Sequence, residues 1–112
     1  MSKKTKRKAA APIASIVIPV YNEQALLETA VNDLMTRFPE TLPDVSFELL
    51  ITENGSTDDT LEIAYELERK YDNLRVLHSP EPNYGRALRR GILEAKGTYV
   101  LCDEIDICDV DF

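Results

Sequence analysis

The stretch Ala14-Ser15-Ile16-Val17-Ile18-Pro19-Val20 decides the fold class, and the polar residues Tyr21-Asn22-Glu23 follow it directly. The run is short, rich in β-branched residues and almost wholly apolar, which is typical of a strand covered on both faces. Strands of that kind occur in parallel sheets that carry helices on either side. The stretch therefore predicts a buried strand from Ala14 to Val20 at the start of an α/β fold.

A first helix is predicted directly downstream of this strand. Its apolar residues recur at helical spacing, and they are Leu27, Val31, Leu34 and Phe38. Asn22 is placed as a possible N-cap, and the helix is expected to end near Pro39, since proline removes a backbone donor. The pattern thus changes from an extended to a helical period within a few residues.

The same alternation continues along the rest of the chain. Further strands are predicted at 47–52, 74–77 and 98–102 from short apolar runs. A second helix follows the turn at 54–59 with Leu61, Ala64 and Tyr65, and a third opens at Asn83 with Leu88, Gly91, Ile92 and Ala95 on one face. Gly97 is expected to stop the third helix. The alternation predicts a Rossmann-like parallel sheet with helices on both faces, in a chain of 112 residues that can bury one modest core.

The net charge of −7 is unevenly distributed. Five basic residues, Lys3, Lys4, Lys6, Arg7 and Lys8, precede the first acidic one, and without them 8 basic residues face 20 acidic ones, a net charge of −12. A body this negative argues against a nucleic-acid partner, which needs clustered basic side chains. Residues 1–13 are expected to form a disordered basic tail, with weak contact to anionic lipid as an alternative. The folded part is expected at residues 14–112.

Cysteine usage and hydropathy indicate the compartment. Cys102 and Cys108 are too few and too close together for a disulfide framework. Apolar runs stay well short of the roughly 20 residues that a membrane-spanning helix needs. The expected location is the cytoplasm, with the inner face of a membrane as the alternative.

Three polar clusters fall at the carboxyl ends of predicted strands or at the start of a helix, where open parallel sheets bind ligands. At 19–23, Tyr21 can stack on a nucleobase and Glu23 can accept hydrogen bonds from a ribose, although a stiffened turn would look similar. At 53–58, Glu53 can bind a base N–H, although helix-capping loops share this composition. At 83–91, arginines can meet phosphate or simply cover a solvated helix face.

The acidic run from Asp103 to Asp111 follows the last predicted strand. Five carboxylates crowd into nine residues there, and they belong to Asp103, Glu104, Asp106, Asp109 and Asp111. Such crowding is easier to tolerate when a divalent cation neutralises it, and a hard cation keeps positions open for substrate phosphates. Glu104 and Asp106 point to the same side in an extended chain and are the predicted metal ligands. A solvated acidic terminus is the alternative.

The order and spacing of these clusters resemble the family 2 glycosyltransferases of the GT-A fold. The Ala87-Leu88-Arg89-x-Gly91 run is most similar to the dolichol- or polyprenol-phosphate mannosyltransferase-like branch. The resemblance implies a set of residues that bind the nucleotide sugar, which are Pro19, Tyr21, Glu23, Ile51, Glu53 and Asp103. It also implies that Glu104 and Asp106 hold Mg²⁺ or Mn²⁺. Glu53-Asn54 stands where the family usually has Asp-Asp, and Glu104 replaces the first metal aspartate.

The function expected from the resemblance is transfer of a glycosyl group from a nucleotide-diphosphate sugar to an acceptor such as a polyprenyl phosphate or a saccharide. Members of the family continue beyond the length of this chain, so it is expected to hold the donor half of the site. A non-catalytic nucleotide-binding module is the main alternative. A nucleotidyltransferase is disfavoured because no glycine loop follows the first strand. No residue is assigned as general base, and His78 is expected to be structural.

Overall fold

Strands and helices alternate strictly in the computed structural model, which describes residues 11–105. The strands are β1 (Ala14–Val20), β2 (Phe47–Asn54), β3 (Leu74–Ser79) and β4 (Tyr99–Cys102). The helices are α1 (Leu27–Thr41), α2 (Thr60–Lys70) and α3 (Tyr84–Glu94). All strand pairs are parallel, in the order β3-β2-β1-β4. The predicted α/β class with a parallel sheet is confirmed.

Strand β1 lies inside the sheet, between β2 and β4, and all of its residues are buried. Ile16, Ile18 and Val20 belong to the main core cluster, which the sheet shares with α1 and α2. Val17, on the opposite face, lies against α3 at Gly91. Helices therefore cover both faces of β1, which is why its sequence carries no apolar–polar alternation.

The main core lies between the sheet and the helices α1 and α2. Its fully or almost fully buried side chains include Ile18, Leu27, Val31, Leu49, Ile51, Ala64 and Leu67. Burying one large aliphatic side chain is worth about 1.5–3 kcal/mol, so this layer supplies most of the stabilising free energy. The other face is thinner, since α3 buries only Ala87 and Gly91 among its residues.

A polar network lies at the amino ends of the strands, on the face that carries α3. The buried Glu48 carboxylate accepts hydrogen bonds from Ser15 Oγ at 2.6 Å and from the Lys96 amide at 2.7 Å. Ser15 Oγ also accepts the Gly97 amide at 2.8 Å, and Arg75 lies 3.5 Å from Glu48. The network therefore fixes the turn between α3 and β4 against β1 and β2.

Helix α1 ends at Thr41, close to Pro39 as predicted, and Pro39 lies within its last turn because there its ring sacrifices a single backbone hydrogen bond. Two other sequence-based predictions about helix ends are wrong. Asn22 does not cap α1, since Leu26 holds that position and Asn22 has a positive φ of 52°. Gly97 does not stop α3, which ends at Glu94. Gly97 instead passes so close to β1 that a Cβ would lie 2.7 Å from Ser15 N.

Two buried faces also differ from those predicted. Helix α2 buries Thr60, Ala64 and Leu67, whereas Tyr65 is exposed. Helix α3 leaves Ile92 exposed. Strand β4 is exposed along its whole length because it pairs with β1 at the edge of the sheet.

Some predictions concern residues beyond the described range. The basic residues of the predicted tail and the acidic run from Asp106 onwards, with Cys108, lie outside residues 11–105. Of the tail, residues 11–13 are described, and the Ile13 amide donates to Ser46 O at 3.0 Å. Within the described part of the chain, no helix has the length and apolar character that crossing a bilayer demands.

Candidate functional site

The carboxyl ends of β1, β2 and β3 bring three chain segments together. The sheet register aligns Val20 with Glu53 and Glu53 with His78. The loops that follow β1 and β2, residues 21–26 and 55–59, therefore start side by side. This is the edge at which the sequence places its predicted ligand-binding clusters.

Glu53 is a buried carboxylate with only 1% of its surface exposed. Its Oε2 accepts a hydrogen bond from the Ser56 amide at 2.5 Å, and its Oε1 lies 2.5 Å from His78 Nδ1. Burying a carboxylate is costly unless it is hydrogen-bonded, and both oxygens meet that condition. The Glu53 side chain is therefore held in one position at the end of β2.

His78 was predicted to be structural, and its contact with Glu53 was not foreseen. One signal was available, because Leu74, Val76 and His78 alternate along β3 and so share a face with Ile51 and Glu53. The register that brings His78 beside Glu53 cannot be obtained from either segment alone. The side chain of His78 is 39% exposed, so it is the accessible member of the pair.

The loops after β1 and β2 are joined by side-chain-to-backbone hydrogen bonds. Asn22 Oδ1 accepts the Thr57 amide at 2.8 Å, and the Asn22 amide donates to Ser56 Oγ at 3.0 Å. The Glu23 amide donates to Thr60 Oγ1 at 2.8 Å. These bonds explain the left-handed conformation of Asn22, a residue type that tolerates it. Tyr21, which is 44% exposed, is thus carried on a fixed loop.

Gly55 and Asn54 connect the end of β2 to the start of α3. Gly55 has a φ of +68°, and a Cβ there would lie 2.8 Å from Pro82 N, so only glycine fits without strain. Asn54 Oδ1 accepts the Asn83 amide at 2.6 Å. Asn83 in turn caps α3 by accepting the Arg86 amide at 2.9 Å, as the sequence suggested.

The remaining predicted nucleotide-sugar residues differ in accessibility. Pro19 is buried within β1, and Ile51 is completely buried in the main core. Glu23 is half-buried, and Asp103 is half-buried just beyond β4, where its amide donates to Val17 O at 3.0 Å. The structure thus places Glu23 and Asp103 at the surface of the edge, whereas Pro19 and Ile51 support it from inside.

The predicted metal ligand Glu104 is exposed and contacts α3. Tyr84 Oη donates a hydrogen bond to Glu104 Oε2 at 3.1 Å, and the Glu104 amide donates to Asp103 Oδ1 at 2.8 Å. Burial, and then the hydrogen bond and negative charge of Glu104, raise the pKa of Tyr84 above its ordinary value. Ile105 is buried in the main core and anchors this segment. The second predicted ligand, Asp106, lies outside the described residues.

The arginines of α3 do not share one environment. Arg90 donates from Nη1 to His78 O at 2.6 Å and so ties α3 to the end of β3. Arg86 and Arg89 lie on the exposed surface of the helix. Arg90 therefore has a structural contact, and the other two remain candidates for phosphate contact.

Asp58 is expected to contribute to the pH dependence of stability. Burial alone would raise the pKa of Asp58, but hydrogen bonds from the Thr60 hydroxyl and amide and the Gln24 amide hold it below its ordinary value. A lowered folded-state pKa stabilises the fold at neutral pH, and this contribution disappears as the pH falls through that pKa. Urea unfolding at a series of acidic pH values should therefore show a shallower loss of stability in Asp58→Asn than in the native chain. If the free energy of unfolding falls equally steeply with decreasing pH in both proteins, the Asp58 carboxylate contributes nothing to the pH dependence of stability.

Comparison with known proteins agrees with this geometry. The family model described as Glycosyl transferase family 2 matches residues 15–106. A dolichol-phosphate mannosyltransferase from Pyrococcus furiosus is 31% identical over 93 residues, which cover 83% of this chain and 25% of that protein.

Two solved structures share the fold. S. aureus TarS 1-349 in complex with UDP has a TM-score of 0.69 at 28% identity, covering 83% of this chain and 27% of that one. The mannosyltransferase PcManGT from Pyrobaculum calidifontis, in complex with GDP-Man and Mn2+, has a TM-score of 0.72 at 21% identity. The match covers 87% of this chain and 28% of that one.

The chain is short beside its relatives. It covers 28% of one curated glycosyltransferase and 14% of another, with others between these values. The matched region nevertheless includes all four strands of the described sheet, apart from Ala14, and the loops at its carboxyl edge. The chain belongs to glycosyl transferase family 2, and its described residues form the N-terminal part of the GT-A fold.

Proposed function

We propose that residues 14–112 bind a nucleotide-diphosphate sugar and serve as the donor-binding part of a glycosyltransferase. The observation that carries the proposal is the buried Glu53 carboxylate, fixed at the end of β2 between two joined loops. A rigid polar group at the carboxyl edge of a parallel sheet suits recognition of a nucleobase. TarS solved with UDP and PcManGT solved with GDP-Man support the choice of ligand class.

The roles of the surrounding residues follow from their accessibility. The exposed Tyr21 ring would stack on the base, and Glu23 would accept hydrogen bonds from the ribose. Asp103 would lie next to the sugar diphosphate beyond β4. Pro19 and Ile51, both buried, would shape the floor beneath Tyr21 and Glu53.

A divalent cation, Mg²⁺ or Mn²⁺, would be held by Glu104 and Asp106. The donor chemistry fits, because Glu104 presents hard oxygen atoms at an exposed position. Among residues 11–105 no group of three or more His, Cys, Asp or Glu side chains could hold a metal ion. The proposed ion would take its other ligands from substrate phosphates. Held by Glu104 and Asp106, such an ion would supply positive charge to neutralise a departing diphosphate.

The proposed reaction is direct displacement at the anomeric carbon of the donor sugar. The bond from that carbon to the diphosphate oxygen breaks, a bond to the acceptor oxygen forms, and the acceptor proton passes to a base. A polyprenyl phosphate or a saccharide is the proposed acceptor. A lipid acceptor would suit action at the cytoplasmic face of a membrane, with the basic residues before Ala9 near anionic lipid.

The proposal is tested by thermal unfolding of the chain with nucleoside diphosphate and metal. UDP or GDP at about 100 times its dissociation constant adds about 2.7 kcal/mol of stability. The midpoint should therefore rise by several degrees when Mg²⁺ or Mn²⁺ is present and much less when EDTA is added. The double variant Glu104→Ala plus Asp106→Ala should lose the metal-dependent part of the rise.

The matched control is Glu66→Ala, which removes a carboxylate from the exposed surface of α2. It should keep the full metal-dependent rise. Absence of a rise in the native chain, or an unchanged rise in the double variant, would contradict the proposal.

Binding without transfer is the second candidate function. It is favoured by the distribution of residues, since 11–105 include all the proposed donor contacts but no assigned general base. Glycosyl transfer to a lipid-phosphate or saccharide acceptor should be assayed on the same sample that binds nucleotide. Turnover supports the transferase, whereas tight binding with no product supports the binding module.

A further inference from the structure

The two edges of the described sheet differ in how their outward backbone groups are bonded. At the β3 edge, the Val76 amide donates to Glu68 Oε2 at 2.9 Å, and His78 O accepts from Arg90 Nη1 at 2.6 Å. Side chains from α2 and α3 therefore occupy the groups that a further strand would need. Sheets are commonly protected in this way, because an open edge pairs readily with another chain.

The β4 edge has no such protection within residues 11–105. The amides of Tyr99 and Asp103 donate to β1 at 2.9 and 3.0 Å, so alternate residues of β4 are bonded to β1. The residues between them, Val100 and Cys102, direct their N–H and C=O groups outward. No described residue forms a hydrogen bond with those outward groups, so β4 is the open edge of the sheet.

Exposed apolar side chains flank the open edge. Val100 is 38% exposed and Ile92 of α3 is 43% exposed. Val100 pairs with Ser15, which shares a face of β1 with Val17, and Val17 lies against α3. Arg90 reaches from α3 towards β3, so Ile92, two residues on, lies on the opposite flank of the helix, towards β4. Pairing at this edge would therefore cover apolar surface as well as backbone groups.

The register that pairs most of the open edge is centred on Val100. In an antiparallel pair of β4 strands related by a two-fold axis, Val100 faces its own counterpart, and Thr98 faces Cys102 of the second copy. These are the residues whose backbone groups alternate outward, so the facing residues exchange hydrogen bonds. The same register brings Lys96 beside Glu104 of the second copy, since each lies four residues from Val100. The charges at the two ends of the paired segment are then complementary.

We propose that β4 pairs with β4 of a second copy of this chain, antiparallel and with a two-fold axis at Val100. The two sheets then form one continuous sheet in the order β3-β2-β1-β4-β4-β1-β2-β3. The charge pattern favours a second copy as the occupant, because an edge with a base before the strand and acids after it is complementary to itself in antiparallel pairing. The contact is small, so the dissociation constant is on the order of 10 µM. This pairing does not depend on the proposed nucleotide binding.

Sedimentation equilibrium of the full chain tests the proposal. Samples from about 1 µM to 1 mM, in EDTA and about 0.15 M salt to screen the overall negative charge, should change from monomer to dimer. Val100→Lys places like charges face to face at the axis and should raise the dissociation constant about tenfold or more. Leu93→Lys is the matched control, because Leu93 is 72% exposed on the outer surface of α3, and it should leave the dissociation constant unchanged.

A second variant changes charge alone at the end of the paired segment. Lys96→Glu keeps the backbone amide that donates to Glu48, but it places an acid beside Glu104 of the second copy. It should weaken the dimer about threefold, in line with a partly exposed ion pair. Circular dichroism of each variant should match that of the native chain, so that a weaker dimer reports the contact and not the fold.

Disulfide formation tests the register. Thr98→Cys, made in a chain that carries Cys108→Ser, brings a new thiol opposite Cys102 of the second copy, with Cα atoms about 5.5 Å apart. Within one chain the same two positions lie about 13 Å apart along the strand, so the bridge must join two chains. Mild oxidation should link this variant into dimers. The matched chain with Cys108→Ser alone should stay unlinked, because its two Cys102 residues do not face each other.

Each result supports or overturns pairing through β4 and leaves the nucleotide experiment to decide the proposed function. A chain that stays monomeric up to about 1 mM overturns the second copy as occupant and leaves the edge to a further segment of the polypeptide or to another protein. A dimer that neither Val100→Lys nor Lys96→Glu weakens also overturns the pairing. Dimers that Thr98→Cys fails to cross-link overturn the antiparallel register.

Discussion

Gly97→Ala is expected to destabilise the fold by about 3 kcal/mol or more, near the upper end for a single added methyl group. A Cβ at Gly97 would lie 2.7 Å from the backbone atoms Ala14 C and Ser15 N and from Ser15 Oγ. Backbone atoms within a paired strand cannot move away as a flexible side chain can. The turn before β4 would have to withdraw from β1, losing the Gly97-to-Ser15 hydrogen bond. Urea unfolding followed by circular dichroism measures the loss directly.

Gly85→Ala is the matched control for this prediction. The same methyl group would there meet nothing closer than Asn83 Oδ1 at 3.8 Å, and Gly85 lies in the first turn of α3. Alanine is favoured over glycine in helices by up to about 1 kcal/mol, so this variant should be unchanged or slightly more stable. If Gly97→Ala and Gly85→Ala lose equal amounts of stability, the close approach of Gly97 to β1 is not the cause of the destabilisation.

Glu48→Ala is expected to cost about 3–5 kcal/mol, the range for breaking a buried charged pair by removing one partner. The change would leave Ser15 Oγ and the Lys96 amide without their acceptor and remove the carboxylate that faces Arg75. Arg75 is two-thirds buried and would keep only the exposed Glu94 carboxylate as a charge partner. Urea unfolding of the variant should show a much lower midpoint urea concentration, while the dependence of the unfolding free energy on urea concentration stays similar.

Glu94→Ala provides the comparison, because it removes the other carboxylate near Arg75. Glu94 Oε1 lies 3.7 Å from Arg75 Nη1, but its side chain is 49% exposed. Exposed ion pairs are typically worth no more than about 1 kcal/mol. The Arg75 hydrogen bond to Glu94 O uses the backbone and persists in the variant. If Glu94→Ala lowers the free energy of unfolding as much as Glu48→Ala does, burial of the carboxylate does not determine how much its removal destabilises the fold.

The sequence predicts the strands better than the helix ends, for a physical reason. Burial on both faces leaves an unbroken apolar run, and β1 accordingly spans Ala14–Val20 as predicted. Helix ends depend on tertiary contacts, so Asn22 bonds across to Thr57 instead of capping α1. Gly97 was assigned to a helix end because its close neighbour in β1 is distant in sequence.

The candidate site was predictable as an edge of the sheet but not as a set of contacts. The order of the clusters after β1, β2 and β4 located Tyr21, Glu53 and Glu104 at the carboxyl edge, which the topology confirms. The contact between Glu53 and His78 depends on the register of β2 against β3, and periodicity does not encode register between distant segments. The ligand roles of these residues remain predictions that the nucleotide experiments test.

The interior position of β1 also bears on the order in which the chain can fold. Ala14 pairs with Phe47 on one side and with Tyr99 on the other, so a ribosome releases the central strand long before its second neighbour. Closing that long loop costs chain entropy before any contact is gained. During synthesis β1 can pair first with β2, and its other edge stays unpaired until β4 has been synthesised. The Ser15 and Glu48 network, which receives the turn before β4, is then the place where β4 joins the described sheet.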